Sequence, residues 1–181
     1  GGGNVAMDAC RTAKRLGAEK VYIIYRRSEA EMPARLEEIH HAKEEQIEFL
    51  NLHNPVRILV GENNEVTGME LQEMELGEPG ADGRRKPIPV ERFKTIDVDT
   101  VIISIGTSPN PLIKSTTEHL DTNKKGCISV DEDSMETTRE GVFAGGDAVT
   151  GAATVILAMG AGKKAAANMH KYICKKHGIE A

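Results

Sequence analysis

The chain has 181 residues, a formal net charge of −5 and no tryptophan. That length accommodates one domain or two small ones. The acidic balance argues against nucleic acid or an anionic membrane as the main partner, since both need a cationic face. Cys10, Cys127 and Cys174 form no C-x-x-C pair and no metal-ligand cluster, so they read as reduced thiols of a cytoplasmic protein rather than a disulfide framework. The longest apolar run, 152–161, is too short to span a bilayer. No basic stretch with an apolar run opens the chain as a secretory signal would. The expectation is a cytoplasmic α/β protein.

Taken in chain order, Val5, Ala6, Ala9, Cys10, Ala13 and Leu16 recur at helical spacing, and Gly17 follows as a C-cap. Residues 21–25 (VYIIY) are almost wholly apolar, as expected of a strand buried on both faces of a parallel sheet. After Arg26-Arg27-Ser28, Pro33 marks a helix start, with Leu36, Ile39 and Ala42 facing one way. Residues 47–51 (IEFLN) add a further strand. The order turn, helix, strand, helix, strand is a βαβαβ unit without its first strand, so the chain reads as truncated at the N-terminus. Residues 56–60, 66–76 and 88–93 read as antiparallel strands, joined by 61–64 and by a loop holding Gly77, Pro79, Gly80, Asp82 and Gly83. Met69 and Leu71 alternate with polar neighbours, so one face of this small sheet is wet. A buried strand is expected over 98–105 (VDTVIISI), stopping at Gly106, with a crossing between two domains at 106–115. Short strands over 128–130 and 142–144 follow, then a long helix over 153–175 with Ala, Ile, Leu and Met on its inner side.

The opening Gly1-Gly2-Gly3-Asn4-Val5-Ala6 fits G-x-G-x-x-A. In a dinucleotide fingerprint the first glycine permits a tight turn, the second lets a pyrophosphate approach the backbone, and the small last residue lets helix pack on strand. The helix N-terminus then offers free N–H groups and partial positive charge. The competing reading is a glycine-rich loop that merely leads into a helix. Arg26 and Arg27 end the next strand, where an acidic residue would accept the ribose of NAD and arginine accommodates the 2′-phosphate of NADP. Two guanidiniums match a dianion in geometry and charge, although a solvated basic pair beside Glu29 and Glu31 has the same composition. In Gly141-Val142-Phe143-Ala144-Gly145-Gly146-Asp147-Ala148, a short apolar strand ends in Gly-Asp. This can set a carboxylate beside a bound sugar alcohol, or equally supply a cap or turn residue. The helix beginning near Ala153-Thr154-Val155 aims its N–H groups at an anionic or electron-rich atom.

Three stretches carry a family resemblance: GGGNVAMDACRTAKRLGAEKVYIIYRRSEAEMPAR, VDTVIISIGTSPNPLI and GVFAGGDAVTGAATVILAMGAGKKAA. Across its length the chain resembles the pyridine-nucleotide–disulfide oxidoreductase superfamily. Within it, the chain is similar to the glutamate synthase small-subunit group, which includes the large subunit of NADH-dependent ferredoxin:NADP oxidoreductase. The resemblance implies a Rossmann-like FAD/NAD(P)-binding α/β fold (three-layer ββα) with the nucleotide domain inserted in the FAD domain. Residues 1–105 would be an NADPH-binding domain lacking its first strand, and 106–181 the C-terminal part of the FAD domain. It implies NADP(H) on Gly1, Gly3, Asn4, Val5, Ala6, Arg26 and Arg27. FAD would meet Gly146 and Asp147 at its ribityl or pyrophosphate region and Ala153, Thr154 and Val155 near the flavin's pyrimidine edge. Ile105 and Gly106 would sit where both cofactors approach.

The implied activity is that of an NADPH-dependent flavoprotein oxidoreductase. Electrons would leave for an iron–sulfur centre outside this chain, with a glutamate synthase large subunit or a ferredoxin-type carrier as partner. No catalytic side chain and no metal ligand is expected. His40, His41 and His53 read as solvated, Cys10 as a packed thiol, and thioredoxin-reductase-like dithiol chemistry as unlikely without C-x-x-C. A non-catalytic NADP(H)-binding module or an inert folded remnant is the alternative for the isolated chain, and apolar surface left open would favour a homo-oligomer.

Overall fold

In the computed structural model, which describes residues 1–180, the chain divides into two units, Gly1–Gly106 and Thr107–Ala181. The first begins with helix α1 (Asn4–Arg15), which buries Ala6, Met7 and Cys10, whereas Val5 and Leu16 of the expected apolar repeat lie at the two ends of the helix, 70% and 84% exposed. Burial pushes the Cys10 thiol up from its ordinary value, and its Sγ donates to the Met7 carbonyl at 3.1 Å. Strand β1 (Tyr22–Tyr25) pairs in parallel with β2 (Glu48–Asn51), Tyr22 opposite Glu48 and Tyr25 opposite Asn51. The crossover between them carries helix α2 (Leu36–Glu44). Ile39 and Ala42 enter the core formed with α1 and β1. Leu36 does not: it is the first residue of the helix, lies ahead of the packed stripe and is 67% exposed. A 3-10 turn at Glu29–Glu31 precedes α2, held by a capping box in which Ser28 and Glu31 satisfy each other's backbone N–H.

Across the α1–α2 contact Arg11 donates to Glu38 at 2.9 Å and to Glu45 at 3.0 Å, and Arg15 also reaches Glu45. The Arg15 guanidinium, helped by Arg11, draws the Glu45 carboxyl down to about 2. Three antiparallel strands follow in the order β3-β4-β5: β3 (His53–Val60), β4 (Val66–Pro79) and β5 (Arg85–Asp97). Met69, Leu71 and Met74 are buried on one face of β4. Both β4 and β5 run further than the sequence pattern indicates, so the loop between them shrinks to a tight turn. There the Gly80 amide donates to the Arg84 carbonyl at 2.8 Å, and Gly83 adopts a φ of +75°.

The buried strand expected over 98–105 does not form. The segment has no strand pairing among the described residues, and Ile103 and Ile105 are 67% and 81% exposed. An apolar run signals a preference for burial, but not the neighbour that would supply it.

In the second unit the strands expected over 128–130 and 142–144 reduce to isolated antiparallel bridges, Thr122 to Ile128, Val130 to Thr137 and Glu136 to Phe143. Segments of three residues separated by tight turns cannot extend a ladder. The Asp131 carboxylate fixes one such turn, accepting from the Ser134 amide at 2.8 Å and the Asp133 amide at 3.1 Å. Leu120, Cys127 and Met135 fill a small core. Short helices α3 (Pro111–Thr116) and α4 (Asp147–Thr150) precede α5 (Val155–His177), which Gly178 caps with a φ of +66°. The expected apolar inner side of α5 does not form along its first turns. Ala165 and Cys174 are buried, whereas Val155, Ile156, Leu157 and Met159 lie exposed in its first turns. Phe143 packs edge-on against Tyr172 of α5 at 5.6 Å between ring centres.

Candidate functional site

The glycine turn, the two arginines and the 104–106 segment come together in the first unit. The Gly1 nitrogen donates to the Ile24 carbonyl at 3.0 Å, so residue 1 runs beside β1. A Cβ on Gly1 would run into the Ser104 carbonyl, and one on Gly2 would lie 2.8 Å from the Tyr25 ring. At Gly1 the obstacle is backbone, and at Gly2 a side chain must displace the Tyr25 ring. At Gly3 the same test finds open space apart from Pro33 at 3.9 Å, leaving the turn approachable from that side. The Gly3 carbonyl accepts from the Ala6 and Met7 amides, while the Asn4 and Val5 amides have no acceptor among the described residues. A bare backbone turn with two free donors at a helix N-terminus fits a pyrophosphate.

Asn4 has another task that its place in the fingerprint does not reveal. Its Oδ1 accepts from the Arg35 amide at 2.9 Å, and the Ala34 amide donates to the Gly2 carbonyl at 3.1 Å. Loop 33–35 is thereby tied against the turn. Tyr25 is a residue that sequence reasoning missed: besides lying under Gly2, its hydroxyl donates to the Glu31 carbonyl at 2.8 Å. It links the glycine turn to the end of β1, where Arg26 and Arg27 emerge. Arg26 is exposed and makes no hydrogen bond or ion pair among the described residues. Arg27 donates through Nε to the Arg85 carbonyl at 2.7 Å, leaving its terminal nitrogens free. The nearby carboxylates are already engaged, Glu31 with Ser28 and Glu29 with Lys43 at 2.7 Å. Asn51, at the end of β2 opposite Tyr25, keeps a buried Oδ1 without a partner.

The second unit assembles the other candidates. Gly146 has a φ of +72°, and a Cβ on Gly145 would sit 2.8 Å from the Ala161 carbonyl, so these glycines let the 141–146 segment touch α5. Asp147 is the first residue of α4, and its carboxylate accepts no hydrogen bond among the described residues. It borders a cleft of about 250 Å³ with Thr107, Asn110, Thr122 and Gly151, in which the Thr122 hydroxyl is buried and unpartnered. An unpaired carboxylate and an orphaned hydroxyl suit a polyhydroxyl chain. The Thr154 side chain caps its own helix, accepting from the Leu157 amide at 3.4 Å. Ala153 and Val155 are exposed beside it at the N-terminus of α5, outside the residues that line the cleft. Among the described residues no helix is long and apolar enough to cross a membrane, and no three His, Cys, Asp or Glu side chains gather as metal ligands.

Comparison with known proteins bears on both units. A family model described as pyridine nucleotide-disulphide oxidoreductase matches residues 1–165. The NADP(+)-dependent formate dehydrogenase subunit beta of Moorella thermoacetica is 42% identical over 174 residues, covering 96% of this chain and 24% of that protein. The glutamate synthase [NADPH] small chain of Halomonas elongata is 36% identical over 177 residues, covering 96% of this chain and 37% of that protein. The chain thus spans a quarter to somewhat over a third of these two relatives. Among solved structures, thioredoxin reductase of T. acidophilum superposes with a TM-score of 0.74 at 24% identity, covering 94% of this chain and 50% of that one. The fold is accordingly the Rossmann-like one of FAD/NAD(P)-binding oxidoreductases.

Proposed function

The chain belongs to the pyridine nucleotide-disulphide oxidoreductase family, and from that premise we propose that its first unit is an NADP(H) site within an FAD-linked oxidoreductase. The observation that carries this reading is the meeting of a bare glycine turn with an unpaired arginine, joined through the contact of Gly2 with Tyr25. Gly1, Gly3 and the amides of Asn4 and Val5 receive the pyrophosphate, and Ala6 keeps α1 close to the sheet. Arg26 and the free end of Arg27 hold the 2′-phosphate. Residues 1–105 form the nucleotide domain and 106–181 the C-terminal part of the FAD domain. There Gly146 and Asp147 receive the ribityl or pyrophosphate region of FAD and Ala153, Thr154 and Val155 face the flavin's pyrimidine edge, while Ile105 and Gly106 contribute to cofactor binding from the first unit.

When bound, the two cofactors supply hydride transfer between nicotinamide and flavin. The chain's own residues bind, orient and exclude water, and no side chain is required as acid or base. The electrons would leave for an iron–sulfur centre outside this chain, with a glutamate synthase large subunit or a ferredoxin-type carrier as partner. The relatives named as a formate dehydrogenase beta subunit and a glutamate synthase small chain support this reading.

Calorimetric titration with NADPH and, separately, NADH tests the proposal. Tight NADPH binding with much weaker NADH is expected; equal affinity, or none for either, overturns it. A narrower reading applies to the isolated chain, an NADP(H)-binding module without turnover. The exposed apolar turns of α5 beside the flavin candidates favour it, and a yellow preparation with stoichiometric flavin would contradict it.

A further inference from the structure

The β4–β5 hairpin returns to the end of β1. Arg27 and Arg85 are 58 positions apart, yet Arg27 Nε donates to the Arg85 carbonyl at 2.7 Å. This bond moors the hairpin tip beside the arginine pair. Three cations follow one another at the tip, Arg84, Arg85 and Lys86, and two of them hold defined partners. The Arg85 guanidinium is turned back onto its own hairpin, donating to the Gly77 and Leu76 carbonyls at 3.0 and 2.8 Å. Arg84 instead lies in a side-on pair with Asp82, at 2.8 Å from Nε and 2.7 Å from a terminal nitrogen. The tight turn around Gly83 fixes both residues, since the Arg84 amide donates to Asp82 Oδ1 at 3.1 Å and the Arg84 carbonyl closes the hairpin.

We infer that Arg84 is a specificity-determining residue, a third guanidinium brought by the hairpin to the 2′-phosphate site of Arg26 and Arg27. The inference rests on the NADP(H) reading above and adds to it a residue from a distant part of the chain. Asp82 is the stand-in anion: one carboxylate oxygen, Oδ2, accepts from both Nε and a terminal nitrogen of Arg84, as a phosphate oxygen would, while Oδ1 accepts only the Arg84 amide. Electrostatics agree with the placement. Asp82, held low chiefly by Arg84, also feels the charge of Arg27, and Arg84, held protonated chiefly by Asp82, also interacts with Tyr25. Two guanidiniums with free donors plus one neutralised by a neighbouring carboxylate leave a local positive excess suited to a dianion. An NADH ribose, with no charge to offer, gains nothing from Arg84.

The test is calorimetry on the full chain with NADPH and NADH, comparing the unaltered protein with Arg84→Gln and Arg84→Lys. Arg84→Gln should weaken NADPH roughly five- to fifty-fold, as loss of one charge-assisted contact does, and leave NADH unchanged. Arg84→Lys should recover part of the loss. NADPH binding that is undiminished in Arg84→Gln, in a protein that still prefers NADPH over NADH, overturns the inference while leaving the nucleotide site intact. Equal weakening of both nucleotides also overturns it, because Arg84 would then support the hairpin rather than read the phosphate. If the unaltered protein shows no preference for NADPH, the underlying reading of Arg26 and Arg27 fails, and this inference with it.

Discussion

Arg26 and Arg27 are neighbours in sequence but not equivalent. Arg26 is exposed with no partner among the described residues, whereas Arg27 is anchored at Nε by the Arg85 carbonyl. Replacing both with alanine is expected to weaken NADPH by about 1–3 kcal/mol, the range for lost hydrogen bonds to charged groups, and to leave NADH nearly unchanged. Titration of the double variant with each nucleotide checks this. Parallel loss of both affinities would assign the pair to the fold. The glycine turn makes a different demand. A methyl group at Gly2 must displace the Tyr25 ring, which is itself held by the Glu31 carbonyl. Gly2→Ala should therefore cost about 1–3 kcal/mol of stability, as overpacking does, visible as a lower urea midpoint. Gly3→Ala meets only Pro33 at 3.9 Å. It should leave the midpoint nearly unaltered and show its effect in nucleotide affinity instead. Equal midpoints for the two variants would contradict the contact with Tyr25.

At the scale of elements, the helices and the parallel pair were legible because their apolar repeats fall inside single short segments. Ala6 and Cys10 on α1 needed only their helical spacing, and Ile23 and Tyr25 on β1 only their apolar run, whereas Met7 joins the core outside the expected repeat and Val5 and Leu16 fall outside the core. What was not legible depends on distant partners. The isoleucines of 98–105 have strand composition without a ladder, and Asn4 holds Arg35 across 31 positions. The return of the β4–β5 tip to Arg27 spans 58 positions and has no local signal at all. The glycine turn leading into α1 was readable for the opposite reason, since turn, free amides and helix N-terminus are contiguous. The α1–α2 contact yields a pH prediction. Glu45 titrates ordinarily near 4.5 and is drawn down to about 2 by Arg15 and Arg11. A carboxyl with a depressed folded-state value stabilises the fold above its unfolded value and loses that contribution as pH falls through the folded one. The midpoint of unfolding should therefore drop as pH falls from about 4.5 towards about 2, and Glu45→Gln should flatten that slope. An unaltered slope in the variant would place the acid sensitivity elsewhere. Packing in the same contact is tested by Ile39→Ala. Ile39 is 1% exposed, and its truncation should cost about 2–5 kcal/mol, measured by denaturant titration.

For the whole molecule, the accessible surface is 12522 Å². Two separate compact domains of these sizes would together expose only about 10,000 Å² by the usual scaling of surface with mass, so the excess does not depend on how the units are arranged. Exposed apolar side chains cluster in two short stretches, Ile102, Ile103 and Ile105 in one unit and Val155, Ile156, Leu157 and Met159 in the other. Single exposed apolar side chains are ordinary, but contiguous ones drive association because each removes apolar area from water at roughly 25 cal/mol per Å². The isolated chain is therefore expected to self-associate, with a sedimentation coefficient that rises with concentration. Replacing Ile156 and Leu157 together by lysine should reduce that rise, since the charges cannot be buried without partners. Both side chains already face solvent, so the substitution leaves the small core of Leu120, Cys127 and Met135 intact, and an unchanged circular dichroism spectrum would confirm it. A chain that sediments as a monomer at every concentration would show that these apolar turns carry no association. The same is true of a double-lysine variant that associates as strongly as the parent, which would move the contact to the isoleucines of 102–105.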